Sequence, residues 1–137
     1  EVTESRLIED LITPLEGLLR LRLKKIRLSI DDFGTGHSNL TQLKNLPFDE
    51  LKLDRSYVQS NEDGGRSQSI LEASIDVAHR LEMKTVAEGV ETLEDWNRLV
   101  ELGCDQIQGY FIARPMPAAE VPQWVRDWPK LRKKLFS

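Results

Sequence analysis

The stretch SIDDFGTGHSNL, residues 29–40, places two carboxylates side by side at the end of an apolar run. Glycines and a threonine follow Asp31 and Asp32 at once, and a helix-like segment begins after them. Apolar residues at 26, 28 and 30 alternate with polar residues at 27, 29 and 31, which is the pattern of a β-strand whose end carries the two acids. Because adjacent carboxylates repel each other, the pair requires either water or a compensating cation.

Strand-like and helix-like segments alternate along the chain. This order predicts parallel strands joined by crossover helices. Two α/β architectures share it, an open doubly wound sheet and a (β/α)8 barrel, and no strand is followed by a glycine-rich dinucleotide fingerprint, which favours the barrel. Strands are predicted over 1–4, 26–33, 50–55, 84–90 and 105–111, and helices over 5–25, 38–46, 69–83, 92–103 and 118–136.

Two prolines are predicted to interrupt helices. Thr13 and Glu16 form a capping-box pattern around Pro14, which would stand at the first position of a second helix or mark a sharp kink. Pro129 is predicted to kink or split the last helix, because an interior proline removes a backbone hydrogen bond. Thr92 has the residue type of an N-cap for the helix that follows it.

The composition narrows the class of protein. The chain has 137 residues, 39% hydrophobic and 31% charged, which is typical of one globular domain. A net charge of −4 gives no sign of the basic surface that binds a nucleic acid polymer. The single cysteine, Cys104, allows no internal disulfide, is predicted to be a small buried side chain, and suits the reducing cytoplasm. No apolar run approaches the roughly 20 residues that span a bilayer, so no membrane segment is predicted.

Polar side chains stand at the carboxyl ends of all five predicted strands. In a parallel barrel these ends meet at one rim, where active sites are built. A single strand-end acid is more often a helix cap or a surface residue, but five successive strand ends indicate a common site. The groups are Glu1 and Glu4, Asp31 and Asp32, Lys52 and Asp54, Glu88, and Gln108.

The chemistry of these groups indicates a metal-dependent hydrolase or phosphoryl-transfer enzyme. The set is rich in carboxylate oxygen and contains no cysteine or histidine, so it suits Mg²⁺ or Mn²⁺ better than zinc. Asp31 and Asp32 would flank two ions about 4 Å apart, which resolves their repulsion. Lys52 would hold an attacking hydroxide or a phosphate oxygen, and Glu88 would bind metal or accept a proton from water. The glycines after Asp32 are either simple turn formers or part of a mobile loop that gates the site.

Several segments together resemble the EAL domain family of bacterial cyclic di-GMP phosphodiesterases. The segments are EVTES at 1–5, DDFGTGHSNLTQLKNLPFDELKLDRSYV at 31–58, VAEGVET at 86–92 and LGCDQIQGYFIARPMP at 102–117. The resemblance implies a TIM-like (β/α)8 barrel with two Mg²⁺ or Mn²⁺ ions at its rim, which hydrolyses cyclic di-GMP to linear pGpG. Residues 1–137 would form about the last five βα units of this barrel, a partial EAL domain with no second domain.

The resemblance also implies roles for individual residues. Lys52 would position the attacking water with support from Asp54, Glu88 would be a metal ligand or the base, and Gln108 would hydrogen-bond near the water. Four residues would be metal ligands: Glu1, Asp31, Asp32 and Glu88. Glu4 would anchor the loop that contains Gly34, Thr35 and Gly36. Arg114 and Pro115 would lie near the edge of a substrate base.

The chain departs from the family pattern at its start. The Glu-Ala-Leu signature is absent, together with its metal-binding Glu, a nearby substrate-holding Arg and the asparagine ligand of the next strand. The missing strands would come from the same polypeptide or from a partner chain, or the chain is a truncated product that pairs through its open edge. Because the first residue is Glu1 and not Met, the first origin is favoured, and we expect this fragment alone to be inactive.

The resemblance implies a biological setting as well. It indicates a cytoplasmic enzyme of bacterial signalling and biofilm control, with cyclic di-GMP as its small-molecule partner. A homodimer is expected through the predicted helix over 38–46. The alternative is a non-catalytic EAL-like module that binds a nucleotide or a protein partner.

Overall fold

The computed structural model describes residues 2–3, 12–33, 46–59 and 65–136; residues 2–3, 12–14, 32 and 33 are described for their backbone alone. Within these ranges the chain is an α/β structure. The strands are β1 (Val2–Thr3), β2 (Ser29–Phe33), β3 (Glu50–Leu53), β4 (Lys84–Ala87) and β5 (Gln106–Ile107). The helices are α1 (Ile12–Leu23), α2 (Arg55–Val58), α3 (Arg66–Arg80), α4 (Leu93–Glu101) and α5 (Val121–Leu135).

The five strands form one parallel sheet in the order β1-β2-β3-β4-β5. Each strand lies beside its neighbour in sequence, which the alternating pattern of strands and helices predicts for a barrel wall rather than for a doubly wound sheet. Since all strands run the same way, their carboxyl ends lie at one edge. The register pairs Thr3 with Asp31 and Leu53 with Ala87, so the residues that follow these strands lie close to one another.

The hydrophobic core lies between the sheet and the helices on one of its faces. Alternate residues of β3 point into it, because successive side chains of a strand face opposite sides. Leu51 and Leu53 are almost completely buried and pack in one cluster with Leu71 and Ile75 of α3. Lys52, between the two leucines, therefore points to the opposite face of the sheet.

Local sequence explains the ends of α4. Thr92 accepts a hydrogen bond from the backbone N–H of Asp95 at 3.1 Å, and the Asp95 carboxylate accepts one from the N–H of Thr92 at 3.1 Å, so the predicted N-cap is a full capping box. Gly103, with φ of +77°, follows the helix in a left-handed conformation that favours glycine.

The structure corrects the predicted first position of Pro14 and the predicted split of the last helix at Pro129. Helix α1 begins at Ile12, so Pro14 lies inside its first turn and not at its first position; the part of the predicted helix before Ile12 lies outside the described residues. Helix α5 is continuous from Val121 to Leu135, with Pro129 inside it. Contacts beyond the proline explain this, since Phe136 packs its ring against Trp96 at 4.9 Å and holds the end of the helix on the body of the molecule.

The element bounds differ from the predicted ones mainly at strand ends. Strand β3 stops at Leu53, and the short helix α2, which the pattern did not predict, begins two residues later. The predicted helix over 38–46 lies almost entirely outside the described residues. In the ranges that are described, no helix is both long enough and apolar enough to cross a membrane.

Candidate active site

Lys52 joins two carboxylates at the carboxyl edge of the sheet. Its Nζ lies 3.2 Å from Oδ1 of Asp31 and 2.6 Å from Oε1 of Glu88. Asp31 lies on β2, Lys52 on β3, and Glu88 directly follows β4. Lys52 pairs in register with Val86, and Glu88, two residues further, returns to the same face of the sheet. The register thus brings together three of the groups that the sequence predicted.

The charges in this cluster do not balance. One ammonium faces two carboxylates, and the side chain of Lys52 is only 10% exposed, so the attraction is weakly screened. Asp31 Oδ1 is buried and makes no hydrogen bond with the described residues, because its 3.2 Å approach to Lys52 is an ion pair without hydrogen-bond geometry. A buried carboxylate oxygen with spare capacity fits a hard divalent cation.

The described residues contain only part of the predicted metal site. Among them, no group of three or more His, Cys, Asp or Glu side chains lies close enough to hold an ion. Asp31 and Glu88 are the predicted ligands whose side chains are described. Glu1 and the side chain of Asp32, with the predicted loop residues Glu4, Gly34, Thr35 and Gly36, lie outside the described part of the chain.

The turn after β4 carries Glu88 and is held from two sides. On one side, Gly89 has φ of +70° and lies so close to α2 that an added Cβ would collide with Cβ of Arg55. Gln59, which ends α2, donates from Nε2 to the Gly89 carbonyl at 2.5 Å. On the other side, Val90 N donates to the Gln108 carbonyl at 3.1 Å. The conformation of this turn is therefore set by α2 and by the residues after β5.

Asp54 caps α2. Its carboxylate accepts a hydrogen bond from the backbone N–H of Ser56 at 2.9 Å. Burial raises the pKa of Asp54, but the hydrogen bonds from Ser56 and Arg55 and the charge of Arg55 outweigh burial and leave the pKa below its usual value. Asp54 is thus ionised at neutral pH and orients the helix that packs on Gly89.

A small cavity lies beside this turn, and Gln108 is one of the residues that line it. It encloses about 200 Å³. The guanidinium of Arg114 lies 4.4 Å from the centre of the Tyr110 ring, so Arg114 borders the same region. Pro115 is exposed and is not one of the residues that line the cavity. The cavity is lined by Arg55, Gly89, Glu91, Gln108, Gly109 and Tyr110.

Cys104 behaves as the sequence predicted for a structural residue. It is partly buried, and its Sγ donates to the Gln106 carbonyl at 3.2 Å. Burial raises the pKa of its thiol, which disfavours the nucleophilic thiolate.

A second polar cluster, which sequence reasoning missed, lies at the amino end of β4. Asp105 accepts hydrogen bonds from Lys84 Nζ at 2.6 Å and from the N–H of Thr85 at 3.0 Å, and lies 3.0 Å from His79 Nε2. Burial raises the pKa of Asp105, but these hydrogen bonds outweigh it and hold the pKa far below its usual value. The cluster fastens α3 to two strands and lies at the other end of β4 from Glu88.

The comparison with known families decides the identity of the fold. The family model described as the EAL domain matches residues 1–115. This chain belongs to the EAL domain family. The predicted family and the predicted TIM-like barrel fold are therefore confirmed, and the open five-stranded sheet is part of such a barrel.

Named relatives of this EAL domain chain include cyclic di-GMP phosphodiesterases. It is 44% identical over 117 residues to cyclic di-GMP phosphodiesterase RocR of Pseudomonas aeruginosa, a match that covers 85% of this chain and 30% of RocR. The first curated relatives are matched over only 16% to 30% of their own length.

Solved EAL structures have the same fold. The PaMucR phosphodiesterase, in a complex with c-di-GMP, superposes with a TM-score of 0.83 at 41% identity, covering 88% of this chain and 49% of that one. The manganese and cyclic di-GMP complex of Klebsiella pneumoniae BlrP1 superposes with a TM-score of 0.76 at 36% identity, covering 83% of this chain and 29% of that one.

Proposed function

We propose that this chain forms the C-terminal part of the active site of a cyclic di-GMP phosphodiesterase that depends on Mg²⁺ or Mn²⁺ and releases linear pGpG. The observation that carries the proposal is the convergence of Asp31, Lys52 and Glu88 at one edge of the sheet. The names of RocR and of the PaMucR complex support the reaction and the substrate.

Asp31 and Glu88 would hold the cations, together with Glu1 and Asp32. When bound, divalent ions lower the pKa of a water and neutralise the phosphate charge. The spare capacity of Asp31 Oδ1 supports this assignment, and so does the manganese complex of BlrP1. We propose two such ions in the complete site.

Lys52 and Glu88 would act directly on the reacting water. Held between two carboxylates, Lys52 presents its N–H groups in a fixed direction and orients the water oxygen toward phosphorus. Glu88 would accept the proton that leaves this water as its oxygen bonds to phosphorus and the P–O3′ bond breaks, and O3′ would leave as a hydroxyl by taking a proton from solvent water. One water is consumed and one phosphodiester is opened. Gln108, in the neighbouring cavity, would donate a hydrogen bond near the same water, and Arg114 and Pro115 would approach a substrate base.

A non-catalytic EAL-like module is the second candidate. It would keep the EAL fold and bind a nucleotide or a protein partner, and the absence of the Glu-Ala-Leu segment from these 137 residues favours it. We further propose that the 137 residues alone have little or no hydrolase activity, because the Glu-Ala-Leu segment and its ligands are not among them.

Hydrolysis and metal binding separate the two candidates. A complete EAL domain that contains these residues, incubated with Mn²⁺ and cyclic di-GMP, is expected to release pGpG, while the 137-residue chain is not. Calorimetric titration of the complete domain with Mn²⁺ should show binding. The Asp31→Asn substitution should weaken this binding, and the exposed control Asp76→Asn should leave it unchanged. Fast pGpG release by the 137-residue chain would contradict its inactivity, and Mn²⁺ binding indifferent to Asp31→Asn would favour the non-catalytic module.

We also propose a cytoplasmic location, a role in biofilm control and a homodimer. The single cysteine supports a reducing compartment. The predicted dimer helix over 38–46 lies almost entirely outside the described residues, so light scattering of the complete domain is the test, with a single dimer mass as the expected result.

A further inference from the structure

We infer that Gln59 is a positioning residue for Glu88 and acts through the carbonyl of Gly89. The inference rests on the proposed function, because it assigns Gln59 a part in the site where Glu88 works. It starts from the 2.5 Å hydrogen bond between Gln59 Nε2 and the Gly89 oxygen, which crosses 30 residues of sequence.

The peptide that Gln59 holds is next to the functional side chain. Glu88 is anchored before the turn, since its N–H donates to the Leu53 carbonyl at 3.1 Å. After Glu88 the chain enters a left-handed conformation at Gly89, which few other residues adopt. The orientation of the peptide between Gly89 and Val90 then determines where the chain goes, and Gln59 fixes that orientation from the side of α2.

Hydrogen bonds hold both ends of helix α2, so the position of the Gln59 donor is fixed. Asp54 caps the start of α2, and Arg98 of α4 donates to the Val58 carbonyl directly before Gln59. Arg98 also lies 3.3 Å from Oδ1 of Asp95, whose other oxygen accepts the N–H of Thr92 at 3.1 Å. The turn that carries Glu88 is thus held at Gly89 by Gln59 and at Thr92 by Asp95. Arg98 connects these two contacts, because it bonds both α2 and Asp95.

The exposure of Gln59 distinguishes a positioning role in the site from a role in the stability of the fold. Gln59 is an exposed residue, and an exposed polar side chain usually changes global stability little when it is replaced. Glu88 Oε1 must stay within hydrogen-bond reach of Lys52, at 2.6 Å, and small displacements of reacting groups are costly in rate. Loss of the Gln59 hydrogen bond should therefore affect the site more than the fold.

The test compares three substitutions in the complete domain. Gln59→Met keeps the length of the side chain but removes the donor, Gln59→Lys keeps an N–H donor, and Gln68→Met removes the same group from an exposed glutamine that bonds Glu72 at 2.9 Å on α3. For Gln59→Met we expect kcat to fall and Mn²⁺ affinity to weaken about fivefold each, the factor equivalent to one hydrogen bond of about 1 kcal/mol. The KM should stay unchanged, and the melting temperature should fall by no more than about 2–4 °C, the shift that 1 kcal/mol causes in a domain of about 150–250 residues.

Rescue and hydrogen exchange complete the test. Gln59→Lys should recover kcat and Mn²⁺ affinity to within about twofold, and Gln68→Met should match the unsubstituted domain. Amide exchange at Val90 should accelerate in Gln59→Met alone, since that N–H closes the turn onto Gln108.

The outcomes distinguish this inference from the proposed function. If the unsubstituted domain releases no pGpG and binds no Mn²⁺, the proposed function fails, and exchange at Val90 still decides whether Gln59 holds the turn. If that domain is active but Gln59→Met keeps its kcat and Mn²⁺ affinity, the positioning role is wrong. Unchanged exchange at Val90 in Gln59→Met, or equal losses in Gln68→Met, would overturn it as well.

Discussion

At the scale of single residues, the candidate site is built around one buried ammonium group, that of Lys52. Lys52 is buried and lies between Asp31 and Glu88, whose carboxylates would otherwise repel each other. The same ammonium that balances these charges is in a position to orient water. One residue thus serves both the stability of the strand ends and the proposed chemistry.

Replacing Lys52 by methionine tests this double role. We expect Lys52→Met to lower kcat by at least roughly 100-fold, because a positioned polar group that acts on water contributes this much or more. The measurement is pGpG release at saturating Mn²⁺. Lys84→Met is the matched control, since Lys84 is another strand lysine that pairs with a carboxylate but lies at the other end of β4. Equal losses in both variants would show that the effect is only structural.

Two glycines with positive φ allow the cost of backbone strain to be distinguished from the cost of a steric clash. Gly65 and Gly89 have φ of +87° and +70°, but only at Gly89 would a Cβ meet neighbouring atoms, those of Arg55 and Gln59. We expect Gly65→Ala to cost about 1 kcal/mol of unfolding free energy and Gly89→Ala to cost about 3 kcal/mol, because the second adds a steric clash to the backbone strain. Urea denaturation of the complete domain measures both, and equal costs would mean that α2 can move away from Gly89.

At the scale of elements, Asp105 connects a helix to two strands. Its carboxylate contacts His79 at the end of α3 and Lys84 and Thr85 at the start of β4, and it directly precedes β5. An exposed ion pair within one helix contributes little to stability, but several hydrogen bonds to one carboxylate contribute more.

The lowered pKa of Asp105 predicts how stability changes with pH. A carboxyl whose pKa is lower in the folded state stabilises the fold above its unfolded pKa of about 3.9, and this contribution disappears as pH falls through the folded value. We expect Asp105→Asn to lose about 2 kcal/mol at pH 7 and progressively less below about pH 4. Thermal unfolding between pH 3 and pH 7 measures the difference.

The control for this pH effect is Asp76→Asn. Asp76 pairs with Arg80 on α3, and the side chains of both are mostly exposed, so its removal should change little at any pH. A loss for Asp105→Asn that stays constant down to pH 3 would contradict the electrostatic explanation.

At the scale of the whole molecule, the described sheet has two open edges. Among the described strands, β1 pairs only with β2 and β5 only with β4. Apolar side chains of α5 are also exposed, including Val121 at 42% and Val125 at 56%. Unpaired edges and apolar surface favour association with other chains.

The 137-residue chain studied alone is therefore expected to self-associate. Sedimentation velocity at increasing concentration should show a rising mean mass. A complete EAL domain that contains the chain should show one stable species, because closing a barrel removes the free edges. A 137-residue chain that remains monomeric at high concentration would show that its edges are protected by other means.

Several features could be predicted from sequence because they depend on neighbours along the chain. Alternation placed Lys52 opposite Leu51 and Leu53, and the parallel order of strands predicted that Asp31, Lys52 and Glu88 would meet. The N-cap at Thr92 could be predicted for the same reason. The features that the sequence pattern did not predict depend on residues far apart in the chain. Asp105 bonds groups 20 and more residues away. The continuity of α5 through Pro129 is supported by a ring contact between Phe136 and Trp96.

The amino-acid order by itself determined the class of fold, the direction of its strands and the acidic character of their carboxyl ends, since periodicity and residue type are local properties. Only the tertiary structure decided which of these groups touch, that Lys52 stands between Asp31 and Glu88, and that Gln59 reaches the turn behind Glu88. The physical reason is that hydrogen bonds and ion pairs act over about 3 Å, so they exist only after packing has set the distances between separate elements.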